Sequence, residues 1–224
     1  MAVNKEAYSR IRSFLDTKGV TLVAVSKTKP AEEIRELYNL GQRDFGENYV
    51  QELVEKAALL PADIRWHFIG HLQTNKVKLI ASFVQLIHGV DSLKLLKEIN
   101  KEAAKAGRVV DCLLQVHIAQ EETKFGLSEQ ELEQLVEESR QLNLAHVQLG
   151  GLMGMASFTG EEAQLRKEFG ELKKLFDLYA KQQGTNSRFR TLSMGMSADY
   201  MIAVSEGSNM VRIGSLLFGE RPGK

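Results

Sequence analysis

Cysteine, proline and net charge are all scarce in this chain. Its 224 residues include one cysteine and three prolines, and 29 basic residues balance 29 acidic ones. A single thiol, Cys112, excludes an internal disulfide framework. Without an excess of either sign, neither a nucleic-acid clamp nor an anionic-membrane binder is expected. The opening MAVNKEAYSR holds no apolar run, so no secretory leader is expected, and together with the lone thiol this points to a reducing, cytoplasmic setting. Only residues 141–160, QLNLAHVQLGGLMGMASFTG, form a long stretch free of Asp, Glu, Lys and Arg. That is roughly the length needed to cross a bilayer. Gln141, Asn143, His146, Gln148 and four glycines make it too polar for lipid, and it reads as a buried strand running into a glycine-rich loop.

What is present is a repeat of strand and helix. Strand-length apolar runs recur at 20–26, 43–48, 65–70, 83–90, 109–118, 144–153, 190–196 and 210–219. Several are nearly continuous in apolar residues, the pattern of parallel strands covered on both faces. Helical patterns lie between them. AEEIRELYNLG closes on Gly41, and SLKLLKEINKEAAKAG closes on Gly107. LSEQELEQLVEESRQLN opens on Ser128 with Glu131 three residues on, a capping-box pattern. With no break in composition, the chain reads as one α/β domain over 1–224. Counting favours a compact (β/α)8 barrel of the TIM type over an open doubly wound sheet, which needs fewer strands. The leading helix, NKEAYSRIRSFLDTKG, is expected to precede the first strand and cap the barrel's end.

A barrel puts its chemistry at the C-terminal ends of its strands. There the first run, VAVSKTKP, finishes in Lys27, on the same face as Val23 and Val25 by the two-residue period of a strand. A partly desolvated amine is a nucleophile toward aldehydes, although a lysine snorkelling from a strand end gives the same pattern. Lys29, further into the loop beside Pro30, reads as solvated. Near the other end, SMGMSADYMIAVSEG places Ser197 as a helix N-cap with the helix from about Ala198 to Gly207, and VRIGSLLFGE ends the eighth strand at Gly214 and Ser215. Small-residue turns after strands seven and eight are where barrels bind phosphate, and they also serve ordinary capping. An amine and a phosphate cradle together suggest pyridoxal 5′-phosphate. Arg212 shares the inward face of strand eight, where it would meet a pyridine nitrogen or an acidic side chain.

The segments VAVSKTKP, FGENYVQEL, WHFIGHLQTNK, HGVDS, KFGL, GLMGMA, LSMGMSADY and VRIGSLLFGER run in order along the chain. Together they resemble the pyridoxal phosphate homeostasis proteins, which are related to the N-terminal barrel of alanine racemase. The resemblance implies a fold-type III barrel carrying the coenzyme as a Schiff base on Lys27. It implies phosphate held by Ser197, Gly214 and Ser215 with help from the turn at Ser193, and Arg212 at the pyridine nitrogen. Asn48 and Met155 would line the pocket, and Lys124 matches a lysine associated with handling free coenzyme. His67 and His71 are four apart, but WHFIGHL reads as a strand turning into a loop and no Glu or Cys completes a metal set, so no metal is expected. His71 is placed at the mouth, and His88 and His117 read as satisfied polar groups. Met153, Met155, Met194 and Met196 serve as core filler or pocket lining.

Two functions follow. Racemases of this fold take a second base from a β-rich domain of a partner chain. Here the chain ends five residues after Gly219, which leaves nothing to build one. The expectation is therefore a monomer without robust catalytic activity that buffers the coenzyme and delivers it to apo-enzymes. The alternative is a minimal coenzyme-dependent amino-acid racemase. A barrel holding some other phosphorylated metabolite is a third class.

Overall fold

The computed structural model describes residues 3–121, 125–142, 144–182, 184 and 186–220. Eight parallel strands form a closed barrel in sequence order: β1 (Thr21–Val25), β2 (Asp44–Glu47), β3 (Arg65–Phe68), β4 (Leu86–Val90), β5 (Val110–Val116), β6 (Val147–Gly154), β7 (Ser187–Ser193) and β8 (Met210–Ile213). β8 returns to β1 with Val23 beside Arg212. Closure removes the open-sheet alternative. The uncharged stretch at 141–160 contains β6 and the loop after it, and no helix among the described residues is long and apolar enough to cross a membrane.

The helices α2 (Ala31–Asn39), α3 (Val50–Leu59), α4 (Leu93–Lys105), α5 (Glu129–Gln141), α6 (Glu162–Ala180) and α7 (Tyr200–Ser205) surround the barrel, with a 3₁₀ helix at Thr74–Leu79 between β3 and β4. Local sequence accounts for their starts. The Ser92 hydroxyl accepts from Leu95 N–H ahead of α4, and Ser128 and Glu131 form the complete reciprocal capping box on α5. α4 then turns Leu95, Leu96, Ile99 and Ala103 inward at helical spacing. Each fully buried aliphatic or aromatic side chain of this kind contributes about 1.5–3 kcal/mol.

The first helix, α1 (Lys5–Asp16), does not cap the barrel's end. The last helix, α8 (Ser215–Phe218), is a single turn and is too short to cover the outside of β8 and β1. α1 takes that place in the ring. Phe14 packs edge-on against Tyr200 of α7, Lys5 pairs with Glu36 of α2, and Asn4 N–H donates to the Leu217 carbonyl. Its buried stripe of Ala7, Tyr8, Ile11 and Leu15 faces the sheet.

Two apolar cores result. The larger lies between strands and helices, and includes Leu22, Ala24, Phe45, Trp66 and Phe68. The smaller lies inside the barrel and consists of Val23, Leu86, Leu113, Met153 and Met210. The rest of the interior includes the buried polar side chains His67, His88, Ser193 and Arg212. A barrel axis with this much polar content departs from the usual layers of branched aliphatics.

Candidate functional site at the barrel mouth

A cavity of about 510 Å³ opens at the C-terminal ends of the strands. Lys27, Asn48, Met155, Ser197, Arg212, Gly214 and Ser215 all line it, so seven of the eight residues singled out from sequence meet in one place. Ser193 does not line it. Its hydroxyl is fully buried beneath Arg212 and faces His88. As the last residue of β7 it points into the barrel axis, below the turn expected to hold phosphate. Lys124 lies outside the described residues. A larger depression of about 850 Å³, beside the ends of α5 and α6, is lined by Arg140 as its one charged residue and gathers no comparable chemistry among the described residues.

Lys27 follows β1 and is half-buried. The residues on either side of it are pinned. Ser26 Oγ donates to Glu47 Oε1 (2.6 Å), and the Ser26 carbonyl accepts from Lys56 Nζ (2.8 Å). Thr28 N–H donates to Glu52 Oε2 (2.7 Å), and Lys56 Nζ also reaches Glu47 and Glu52, both at 2.8 Å. Thr28 has φ +64°, a left-handed conformation that a β-branched residue rarely adopts and that costs about 1–3 kcal/mol. Burial pushes the Glu47 carboxyl above its ordinary range, against the pull of Lys56. Burial also acts on Glu52, but hydrogen bonds from Lys56 and Thr28 outweigh it and hold that carboxyl below its ordinary value. Sequence reading missed this brace, although Glu52 and Lys56 are an i,i+4 pair beside the GENY motif. Lys29 is not solvated. Its Nζ donates to the Phe218 carbonyl (2.7 Å), which ties the loop after β1 to α8.

On the opposite side of the β1–β8 seam, two turns face the cavity. In the first, Asp199 Oδ1 accepts from Met196 N–H (2.5 Å) and α7 begins only at Tyr200. Ser197 is therefore not the N-cap. Its hydroxyl instead accepts from Gly214 N–H (3.3 Å) and links the two turns. Gly195 enters the first turn at φ +96°, and a Cβ there would stand 2.6 Å from Ala203 Cβ, so only glycine fits. The backbone N–H groups of Ser197, Ala198, Ser215 and Leu216 donate to no acceptor among the described residues. Uncommitted donors at two small-residue turns, three of them on residues that line the cavity, make an anion cradle.

Arg212 is 4% exposed. Its guanidinium donates to the Ser193 carbonyl (2.8 Å), Ser193 Oγ (2.6 Å) and the Gly154 carbonyl (3.0 Å). No carboxylate among the described residues forms an ion pair with it, so the acidic-partner alternative is not realised. Burial brings its pKa down to about 10, partly offset by the charge of Asp199, and it remains a cation at neutral pH. Asn48 Oδ1 is also buried without a partner. An uncompensated guanidinium and an orphaned carbonyl oxygen in one cavity fit a polar ring compound with both an acceptor and a donor. The histidines divide as their positions dictate. His67 lies in the axis, whereas His71 does not line the mouth cavity but stacks on Phe125 at 4.8 Å and faces Asp91, and His117 bonds the Glu121 carbonyl. Met155 and Met196 line the cavity, and Met153 and Met194 are core.

The alanine racemase N-terminal domain profile matches residues 5–222. The chain is similar to the pyridoxal phosphate homeostasis protein of Aquifex aeolicus, 45% identical over 201 residues that cover 89% of this chain and 86% of that one. It is similar to that of Schizosaccharomyces pombe, 38% identical over 216 residues, 96% of this chain and 90% of that one. Among solved structures, PipY of Synechococcus elongatus with PLP bound superposes with a TM-score of 0.85 at 38% identity, covering 96% of this chain and 99% of PipY. Alanine racemase of Streptomyces lavendulae shares the fold, with a TM-score of 0.75 at 17% identity over 93% of this chain and 56% of that one.

Proposed function

This chain belongs to the pyridoxal phosphate homeostasis protein family, built on the alanine racemase N-terminal domain, and we propose that it holds pyridoxal 5′-phosphate and buffers its supply. One observation carries the reading: a braced primary amine, a guanidinium without a carboxylate partner and the uncommitted N–H donors of Ser197, Ala198 and Ser215 meet at one cavity, with that of Leu216 in the adjoining turn. Lys27 would carry the coenzyme through a covalent Schiff-base attachment. Ser197, Ala198, Ser215 and Leu216 would hold the phosphate through their N–H groups, helped by the Ser215 hydroxyl. Asn48 and Met155 would form the walls.

When bound, the coenzyme supplies a reactive aldehyde and an electron-withdrawing ring. The residues around it favour storage over turnover. Arg212 stays charged and can only donate, so it would keep the ring nitrogen unprotonated and weaken the ring as an electron sink. The titratable side chains lining the cavity, among the described residues, are Lys27, Lys29, Asp199 and Arg212. Lys29 is committed to Phe218 and Asp199 to Met196, which leaves no ready acid–base pair on opposite faces of a substrate. The protein would act as a cytoplasmic monomer that delivers the coenzyme to apo-enzymes.

Borohydride reduction of the protein mixed with the coenzyme, followed by peptide mapping, tests the attachment. The mass increase should fall on the Lys27 peptide and vanish, with the visible absorbance band, in Lys27→Ala. An adduct elsewhere overturns the assignment. Amino-acid α-carbon deuterium exchange in heavy water should stay near background, and sustained exchange would replace buffering with racemisation.

A further inference from the structure

The barrel axis contains an unbroken chain of polar contacts that none of the readings above uses. Asp44 Oδ1 lies 3.1 Å from His67 Nε2, and His67 Nδ1 lies 3.0 Å from His88 Nε2. His88 Nδ1 lies 3.1 Å from Ser193 Oγ, which accepts from Arg212 at 2.6 Å. His67 and His88 are 2% and 0% exposed, and the Asp44 end of the chain borders a cavity of about 410 Å³ at the opposite end of the barrel. At the far end Arg65 grips both oxygens of Asp44.

The chemistry of the groups permits one direction of donation. Arg212 has donors only, so Ser193 Oγ must accept from it. The Ser193 hydroxyl proton then has a single acceptor within reach, His88 Nδ1. Burial, with the Arg212 charge close by, holds the His88 ring well below its ordinary pKa, and it is neutral. Its one proton is therefore on Nε2 and is donated to His67 Nδ1. His67 in turn carries its proton on Nε2 and donates it to the Asp44 carboxylate. Every donor and acceptor between the guanidinium and the carboxylate is satisfied in this arrangement, and reversing it leaves the Ser193 proton without an acceptor.

We propose that this one-way chain positions Arg212 for the coenzyme's ring nitrogen, and that His88 is its positioning residue. The proposal rests on the coenzyme reading. Arg212 is otherwise held by two backbone carbonyls, and among the described residues the Ser193 hydroxyl is the one side-chain acceptor that orients its fork. The two carbonyls, on different strands, fix one terminal nitrogen each, and a serine hydroxyl locked by an acceptor beneath it adds the shortest contact, at Nη1, and sets how the fork faces the cavity.

Two substitutions separate positioning from a merely structural role. In His88→Asn the side-chain oxygen replaces Nδ1, keeping the acceptor for Ser193 and losing the donor to His67. In His88→Gln the amide nitrogen replaces Nε2, keeping the donor and losing the acceptor. Each removes one buried hydrogen bond, so thermal stability should fall about equally. Coenzyme affinity should not. His88→Asn should stay within about threefold of wild type, whereas His88→Gln should weaken binding about tenfold or more and shift the absorbance band. Equal affinities in the two variants, with coenzyme still captured at Lys27 in the wild type, overturn the proposal alone. No capture in the wild type overturns the functional reading itself.

Ring-nitrogen NMR of the wild-type protein gives a second measurement that needs no variant to fold. His67 and His88 should both be protonated on Nε2 before coenzyme is added, and the His88 nitrogen signals should move when it is. A proton on His88 Nδ1, or signals unmoved by bound coenzyme, would contradict the chain.

Discussion

Replacing Lys56 with methionine should be among the more damaging single changes outside the apolar core. The ammonium group donates to the Ser26 carbonyl, to Glu47 and to Glu52, and the Glu47 side chain is fully buried. Methionine fills the volume and leaves Glu47 as an anion between the Ser26 hydroxyl and the like-charged Glu52 carboxylate. Breaking a buried pair from one side in this way costs about 3–5 kcal/mol. The loss should depend on pH in a definite sense. Burial already holds the Glu47 carboxyl above its ordinary value of 4.5, and removal of Lys56 raises it further. The folded variant then keeps a proton that the unfolded chain gives up. Its stability therefore falls as pH rises through the window between 4.5 and the raised value, by at most about 1.4 kcal/mol per pH unit, and is regained on acidification. Urea denaturation followed by the emission of Trp66, the sole tryptophan, at pH 5.5 and pH 8 measures both effects. Adding Glu47→Gln to Lys56→Met should recover at least half of the loss at pH 8. A variant within about 1 kcal/mol of wild type at pH 8, or one no better at pH 5.5, would refute this account of the brace.

Three further outcomes are expected. Burial tends to raise the Asp44 carboxyl, but hydrogen bonds from His67 and Arg65 carry it from 3.8 down to about 2, a stabilisation of about 2 kcal/mol. That contribution is complete above about pH 5 and disappears as pH falls through about 2, so Asp44→Asn should unfold more easily at pH 7 and converge with wild type in strong acid. Burial pushes the Cys112 thiol up, so a thiol-specific chromogenic reagent should label it only as fast as the barrel opens; complete labelling within a minute of mixing native protein would contradict its burial. Gly195→Ala should cost about 2 kcal/mol in thermal or chemical unfolding and weaken phosphate-bearing ligands, and unchanged affinity for inorganic phosphate and coenzyme would separate that turn from the site.

The barrel and most of its mouth were legible from the sequence because both depend on local pattern. Eight apolar runs separated by helical patterns, the Ser128–Glu131 cap and the small-residue turns at Ser197 and Gly214 are each properties of a few neighbouring residues. Strand parity alone carried Val23, Val25 and Lys27 to one face. What escaped depends on partners distant in the sequence. Lys29 was read as solvated because the Phe218 carbonyl that holds it lies 189 positions away. Ser197 was read as a cap, but Asp199 two residues later has a carboxylate that reaches Met196 N–H and delays the helix. Ser193 is assigned to the cradle by the family resemblance alone. Its inward direction follows from its register opposite Met210, which needs the closed sheet. In sequence His67 is weighed against His71, four residues on, and His88 reads as a satisfied polar group. Only the pairing of β3 with β4, His67 opposite Leu86, brings the two rings together.

The place of the first helix sets a schedule for the whole molecule. α1 precedes the first strand and α8 follows the eighth, yet Asn4 and Leu217 are in contact, and the apolar stripe of α1 packs beside a seam that β8 completes. During synthesis that stripe must wait, uncovered, until β8 has left the ribosome. The same delay applies to cargo. The reactive amine emerges early, but Ser215 and the docking groups near it arrive only with the final turn. A half-made chain would meet free aldehyde with no means of gripping its charged end, so secure loading is reserved for the finished ring.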